Sequence, residues 1–157
     1  INDNSICDYI NYFDVNKDEF YPIEAGTVHA IGGGCLLAEI QENSNLTYRL
    51  YDYDRKDKNG NKRELHIDKA LNVLNYSKYN KPNQDDVNYE CKYFKLNKIE
   101  KPCSIETNKE NFVVLICMQP SNIKCEDEVI ETKKGDSIFV PSNCKIEVKG
   151  KFLKVEV

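Results

Sequence analysis

The chemistry of this chain is concentrated in one stretch, 25-AGTVHAIGGGCLLAEIQENSNLTYRLYDYDR-55. It holds His29, one of only two histidines, shortly before the run Gly32, Gly33 and Gly34. Neutral imidazole is a frequent zinc ligand, but a zinc site takes three or four protein groups. On residue type alone, His29 is either one member of a larger ligand set or a hydrogen-bonded structural histidine. The triple glycine has neither the GxGxxG spacing nor the lysine of a phosphate loop, so close backbone approach or a plain turn accounts for it equally well.

Glu39 and Arg49 are placed more tellingly. If a hairpin turns at Ser44, the two residues oppose each other on one face. Exposed, such a pair is a cross-strand ion pair worth about 0.2–1 kcal/mol. Buried, a carboxylate beside an arginine suits proton transfer next to an anionic substrate. Arg55 would stand at the mouth of the same strand, either as a solvated arginine or as a contact for an anion.

These residues need strands to carry them. Residues 35–41 and 47–51 alternate apolar and polar side chains, which predicts two strands, and Asn43-Ser44-Asn45 between them predicts the loop. Residues 56–62 form a polar loop with an Asn-Gly turn signal, and Ile67, Ala70, Leu71 and Leu74 fall at helical spacing. Residues 79–89 read as a linker. Beyond them, strands are predicted at 93–99, 112–118, 137–140, 145–148 and 152–157, the spacing of a sandwich or small barrel. One internal echo stands out. A turn and an acid precede an apolar strand both at 17–24 and at 134–141, but only the first copy continues to a histidine.

Composition narrows the class. A chain of 157 residues suffices for one domain, or for two small ones, without covalent staples. With 31% charged residues, a net charge of −4 and no basic block, nucleic acid and anionic membrane are poor partners and small solutes better ones. The seven cysteines are odd in number and show no CxxC pair, which points to reduced thiols and a cytoplasmic setting rather than a disulfide framework. The longest apolar run, 112–118, is too short to span a bilayer.

The stretch 25–55, followed by RELHIDKALNVLNY at 63–76, closely resembles the short bacterial form of the type I mannose-6-phosphate isomerases, which are zinc-dependent cupins. The likeness is near continuous over residues 20–76. It implies a mainly β chain built as a cupin-like β-barrel or jelly roll. Residues 1–78 would be the C-terminal part of the catalytic barrel with one helix at about 66–76, and residues 79–157 a second, metal-free cupin-like domain. In that second domain Gly135 to Pro141 keeps the family's GD-x-x-x-x-P motif.

The resemblance further implies that His29 is a zinc ligand, that Glu39 and Arg49 line the pocket and act in catalysis, and that Arg55 lies near the substrate phosphate. His66 is expected to be structural. The activity implied is the interconversion of mannose 6-phosphate and fructose 6-phosphate, with a small sugar phosphate as partner. The remaining zinc ligands of the family belong to an earlier pair of strands that nothing here matches. The chain is therefore expected to be a C-terminal half with an incomplete zinc site and no activity alone. The alternative is a non-catalytic cupin module that binds a sugar or sugar phosphate. Asp18-Glu19 and Glu24 stand where many cupins carry Gly-Asp and Pro.

Overall fold

A computed structural model describes residues 5–82 and 87–157. The chain divides into two compact units, Ile1–Pro82 and Asn83–Val157. Among the described residues no helix is long and apolar enough to cross a membrane.

Among the described residues, nine strands are found, all in the second unit: β1 (Asn88–Glu90), β2 (Lys95–Ile99), β3 (Cys103–Glu106), β4 (Val113–Cys117), β5 (Ser121–Cys125), β6 (Glu128–Thr132), β7 (Ser137–Val140), β8 (Lys145–Lys149) and β9 (Phe152–Glu156). They form two antiparallel sheets, one ordered β1-β2-β9-β4-β7 and the other β3-β8-β5-β6. Alternation explains why they pack face to face. In β4, Val113, Leu115 and Cys117 are buried while Val114 and Ile116 are less so. These inward residues meet Phe152 of the same sheet and Ile105, Ile123, Ile146 and Val148 of the other in one core.

The predicted strands at 93–99, 112–118, 137–140, 145–148 and 152–157 are all present. Four strands escaped the pattern: β1, β3, β5 and β6. β5 and β6 are mostly polar, because their outer faces are solvated, and they join through a two-residue turn with Glu126 at φ 53°. Between β8 and β9, Gly150 has φ +145°, and a Cβ there would lie 2.0 Å from the Ser121 hydroxyl, so only glycine closes this turn.

The first unit is different. Among its described residues, the regular structure consists of a 3₁₀ turn at Ser5–Asp8, the helix α1 at Ile67–Leu71, and a single bridge pairing Lys56 with Lys62. The hairpin expected over 35–51 is absent, and Leu36 and Leu46 are 83% and 74% exposed. Two strands alone are marginal, and the described residues of this unit offer no third strand to cover their apolar face. The helix expected at about 66–76 stops at Leu71, where Asn72 caps it and the chain turns to bond Gly26.

The internal echo has a structural counterpart. In the second unit, Gly135 takes a φ of +92° and the Asp136 carboxylate accepts from the Lys133 amide at 2.7 Å, forming the turn before β7. In the first unit, Asp18 takes a φ of 70° and the Glu19 carboxylate accepts from the Asn16 amide at 2.7 Å. Asp18-Glu19 therefore builds the same acid-capped turn as Gly135-Asp136, aspartate being among the residues that tolerate the left-handed region. Hydrogen bonds from Lys81, Asn16 and Tyr21 hold the Glu19 carboxyl down to about 2.

Candidate functional site

His29 follows a turn in which Thr27 donates to the Glu24 carbonyl at 3.1 Å, with Gly26 at φ +85°. The Gly26 carbonyl accepts from the Asn75 amide at 2.9 Å, docking this turn on the chain just after α1. The approach leaves no room for a side chain: a Cβ on Gly26 would lie 2.4 Å from the Val73 carbonyl oxygen. Gly26→Ala is accordingly expected to lower the stability of this unit by about 1–3 kcal/mol, because it adds a left-handed alanine and a backbone clash. Hydrogen exchange at the Asn75 amide reads this directly, and an unchanged rate would show that the turn is held by other contacts.

The His29 ring is exposed, and its Nδ1 lies 2.8 Å from the Thr27 carbonyl. A carbonyl only accepts, so Nδ1 carries a proton in this contact, and in the neutral ring Nε2 is the nitrogen left with the lone pair. That is the tautomer of a metal-ligating histidine oriented by a backbone carbonyl. A single donor does not make a site. Among the described residues no group of three or more histidine, cysteine, aspartate or glutamate side chains could hold a metal ion, so these residues do not by themselves fit zinc.

Arg49 is held at its backbone by the second histidine. Its amide donates to His66 Nδ1 at 3.2 Å, its carbonyl accepts from the His66 amide at 2.7 Å, and its Nη1 donates to the Glu64 carbonyl at 3.1 Å. His66 also precedes α1 as its N-terminal boundary residue. Glu39 is exposed and forms no ion pair with Arg49, correcting the opposed pair expected across the hairpin. The register argument needed a ladder between 35–41 and 47–51, and with no ladder nothing fixes the two residues opposite each other.

The densest electrostatic cluster lies just beyond. Asp52 is buried, 6% exposed, and receives two guanidinium groups. Arg63 donates through Nε at 2.8 Å to one carboxylate oxygen and through Nη2 to the other, and Arg55 donates through Nη2 at 2.6 Å to that second oxygen. Arg63 foremost, then Arg55, holds the Asp52 carboxyl far below the usual carboxylate range despite its burial, and Asp52 in turn raises Arg63. Arg55 also lies over the Tyr53 ring at 5.7 Å. Two cations share one anion, so the cluster keeps one net positive charge. The arginine side chains are 62% and 49% exposed.

Asp52 and Arg63 were not among the residues that stood out in the sequence, although a signal for them existed. Asp57 and the Asn59-Gly60 turn close a small loop, with the Asp57 carboxylate accepting from the Asn59 and Asn61 amides, so that Lys56 pairs with Lys62. Arg55 and Arg63 are the residues that flank this bridge, and both donate to Asp52, the acid that the chain bends back to supply.

No family model matches the chain. Mannose-6-phosphate isomerase ManA of Bacillus subtilis (strain 168) is 34% identical over 141 residues, which cover 81% of this chain and 44% of the relative. The chain is a homologue of the mannose-6-phosphate isomerases. The Streptococcus mutans enzyme of that name is 47% identical over 64 residues, 41% of this chain and 20% of the relative. The crystal structure of the Bacillus subtilis mannose 6-phosphate isomerase superposes with a TM-score of 0.57 at 30% identity, over 73% of this chain and 41% of that one. This chain thus spans under half the length of the Bacillus subtilis isomerase it matches. The likeness agrees with the mainly β, cupin-like architecture implied by the resemblance.

Proposed function

We propose that this chain forms part of a mannose-6-phosphate isomerase and carries groups for the interconversion of mannose 6-phosphate and fructose 6-phosphate. The observation that carries this reading is the Arg55–Asp52–Arg63 cluster, in a unit whose sequence resembles these enzymes. Its net positive charge and half-exposed guanidinium groups suit a phosphate, which arginine engages through planar paired donors.

The reaction moves a proton between C1 and C2 of the sugar through an enediol. It needs a base at the carbon acid, a group stabilising charge on the sugar oxygens, and a cation for the phosphate. In this reading Glu39 takes the proton from one carbon and returns it to the other, Arg49 stabilises the oxyanion, and Arg55 with Arg63 holds the phosphate. Asp52 acts through the two arginines, fixing their orientation. His29 offers Nε2 as one ligand to zinc. Since the described residues supply no complete site, further ligands would come from outside them. A cytoplasmic setting belongs to the same reading, supported by the seven cysteines, which all remain free thiols.

A coupled assay tests the proposal on two polypeptides: this chain, and one extended to the length of the full isomerases. Activity is expected from the longer polypeptide and not from this chain. Absence of activity from the longer one, with zinc supplied, would overturn the isomerase reading. Retained sugar-phosphate binding in that case would identify a non-catalytic binding module instead.

A further inference from the structure

The second unit contains a charged pair where its fold calls for apolar residues. β9 is a central strand, flanked by β2 and β4. Its alternation puts Phe152, Lys154 and Glu156 on one face, and Phe152 is fully buried in the core, so Lys154 and Glu156 point inward as well. The register agrees on both sides. Lys154 lies between Asn97 of β2 and Leu115 of β4, and Glu156 lies next to Val113 of β4. Leu115 and Val113 belong to the core. The inner face therefore changes from apolar to ionic within one strand, at one end of the sandwich.

A cleft of about 340 Å³ opens there, lined by Asn97, Lys154 and Glu156 on one sheet and by Cys103 and Ile105 of the edge strand β3 on the other. That volume lies within the range of small-molecule sites, about 300–1,000 Å³. Lys154 Nζ donates to one Glu156 oxygen at 3.1 Å, and Asn111 Nδ2 donates to the other at 3.1 Å. Asn97 gives an amide hydrogen to Asn88 Oδ1 at 2.7 Å. This network pins the side chains while leaving ammonium hydrogens, carboxylate lone pairs and the Asn97 carbonyl for a guest.

We propose that this cleft binds a neutral polyhydroxylated molecule of hexose size. An anion would face Glu156 and Glu106, and a cation would face Lys154, so both signs of charge meet a like charge. Hydroxyl groups take donors and acceptors together, and adjacent hydroxyls can bridge the ammonium and the carboxylate. Ile105 and Val113 supply the apolar wall that sugar C–H groups require. The site lies wholly within Asn83–Val157, whereas the groups assigned to isomerisation lie in the other unit, so each proposal can fail without the other.

The test is an amide-resolved NMR titration of the whole chain with D-mannose, D-glucose and D-fructose, and separately with inorganic phosphate. Saturable shifts are expected at Asn97, Cys103 and Lys154 with at least one hexose and not with phosphate. Lys154→Met, which keeps the aliphatic stem, should weaken that binding about tenfold or more by removing a charged donor. Asn97→Ala serves as a second variant should Lys154→Met fail to fold. The proposal is overturned by an absence of saturable shifts, by shifts confined to other residues, by phosphate producing the same shifts, or by unchanged binding in a folded variant.

Discussion

Arg49→Lys in a polypeptide of full isomerase length is expected to lower turnover by about 10²- to 10³-fold, roughly 3–4 kcal/mol of barrier, while leaving stability nearly unchanged. The structure separates the two effects. What anchors Arg49 is mainly its backbone, through the paired hydrogen bonds to His66, and its one side-chain bond goes to the Glu64 carbonyl. A lysine keeps the backbone pair and can still donate to a carbonyl, so the fold loses little. It loses the planar fork that can hold that carbonyl and a developing oxyanion together. The comparison is turnover and thermal midpoint for the two proteins at equal metal content. A fall in turnover below about fivefold, under roughly 1 kcal/mol of barrier, would make Arg49 a structural residue and remove it from the mechanism.

Phe152→Ala is expected to destabilise the second unit by about 3–5 kcal/mol, the usual cost of emptying a phenylalanine site in a packed core. Phe152 has no exposed surface and lies opposite Ile99 on β2 and Cys117 on β4, within the cluster that joins both sheets. Phe139→Ala provides the contrast. That ring is 63% exposed on the edge strand β7 and touches Phe112 at a centroid distance of 5.3 Å, so its loss should cost at most about 1 kcal/mol. Urea denaturation followed by circular dichroism gives both values. Equal costs for the two substitutions would mean that the two-sheet core does not govern the stability of this unit.

The predicted features that appear in the structure share one property: each is set by residues close together in the chain. The apolar run that became β4 and the alternating run that became β8 each carry their signal within five residues, and strand formation follows when any sheet accepts that face. The Gly135-Asp136 turn and the Asn59-Gly60 loop are likewise local, since a left-handed position and a nearby carboxylate suffice to close them. The stretch 35–51 shows the limit of such reasoning. Its alternation is as regular as that of the true strands, but alternation becomes a sheet only when other strands cover the apolar face.

The sequence by itself determined the mainly β character of residues 93–157, the acid-bearing turns within 17–24 and 134–141, and the likeness to the mannose-6-phosphate isomerases, all of which are written in short contiguous patterns. Tertiary structure alone decided which groups meet. Asp52 joins Arg63 because the small loop folds the chain back, and His66 braces Arg49 from across seventeen positions. Lys154 and Glu156 turn inward because β9 is held between β2 and β4 in one register, and a shift of one residue would send both to the opposite face of the sheet. Register and long-range closure are chosen by the summed burial of the whole core, which no short window contains.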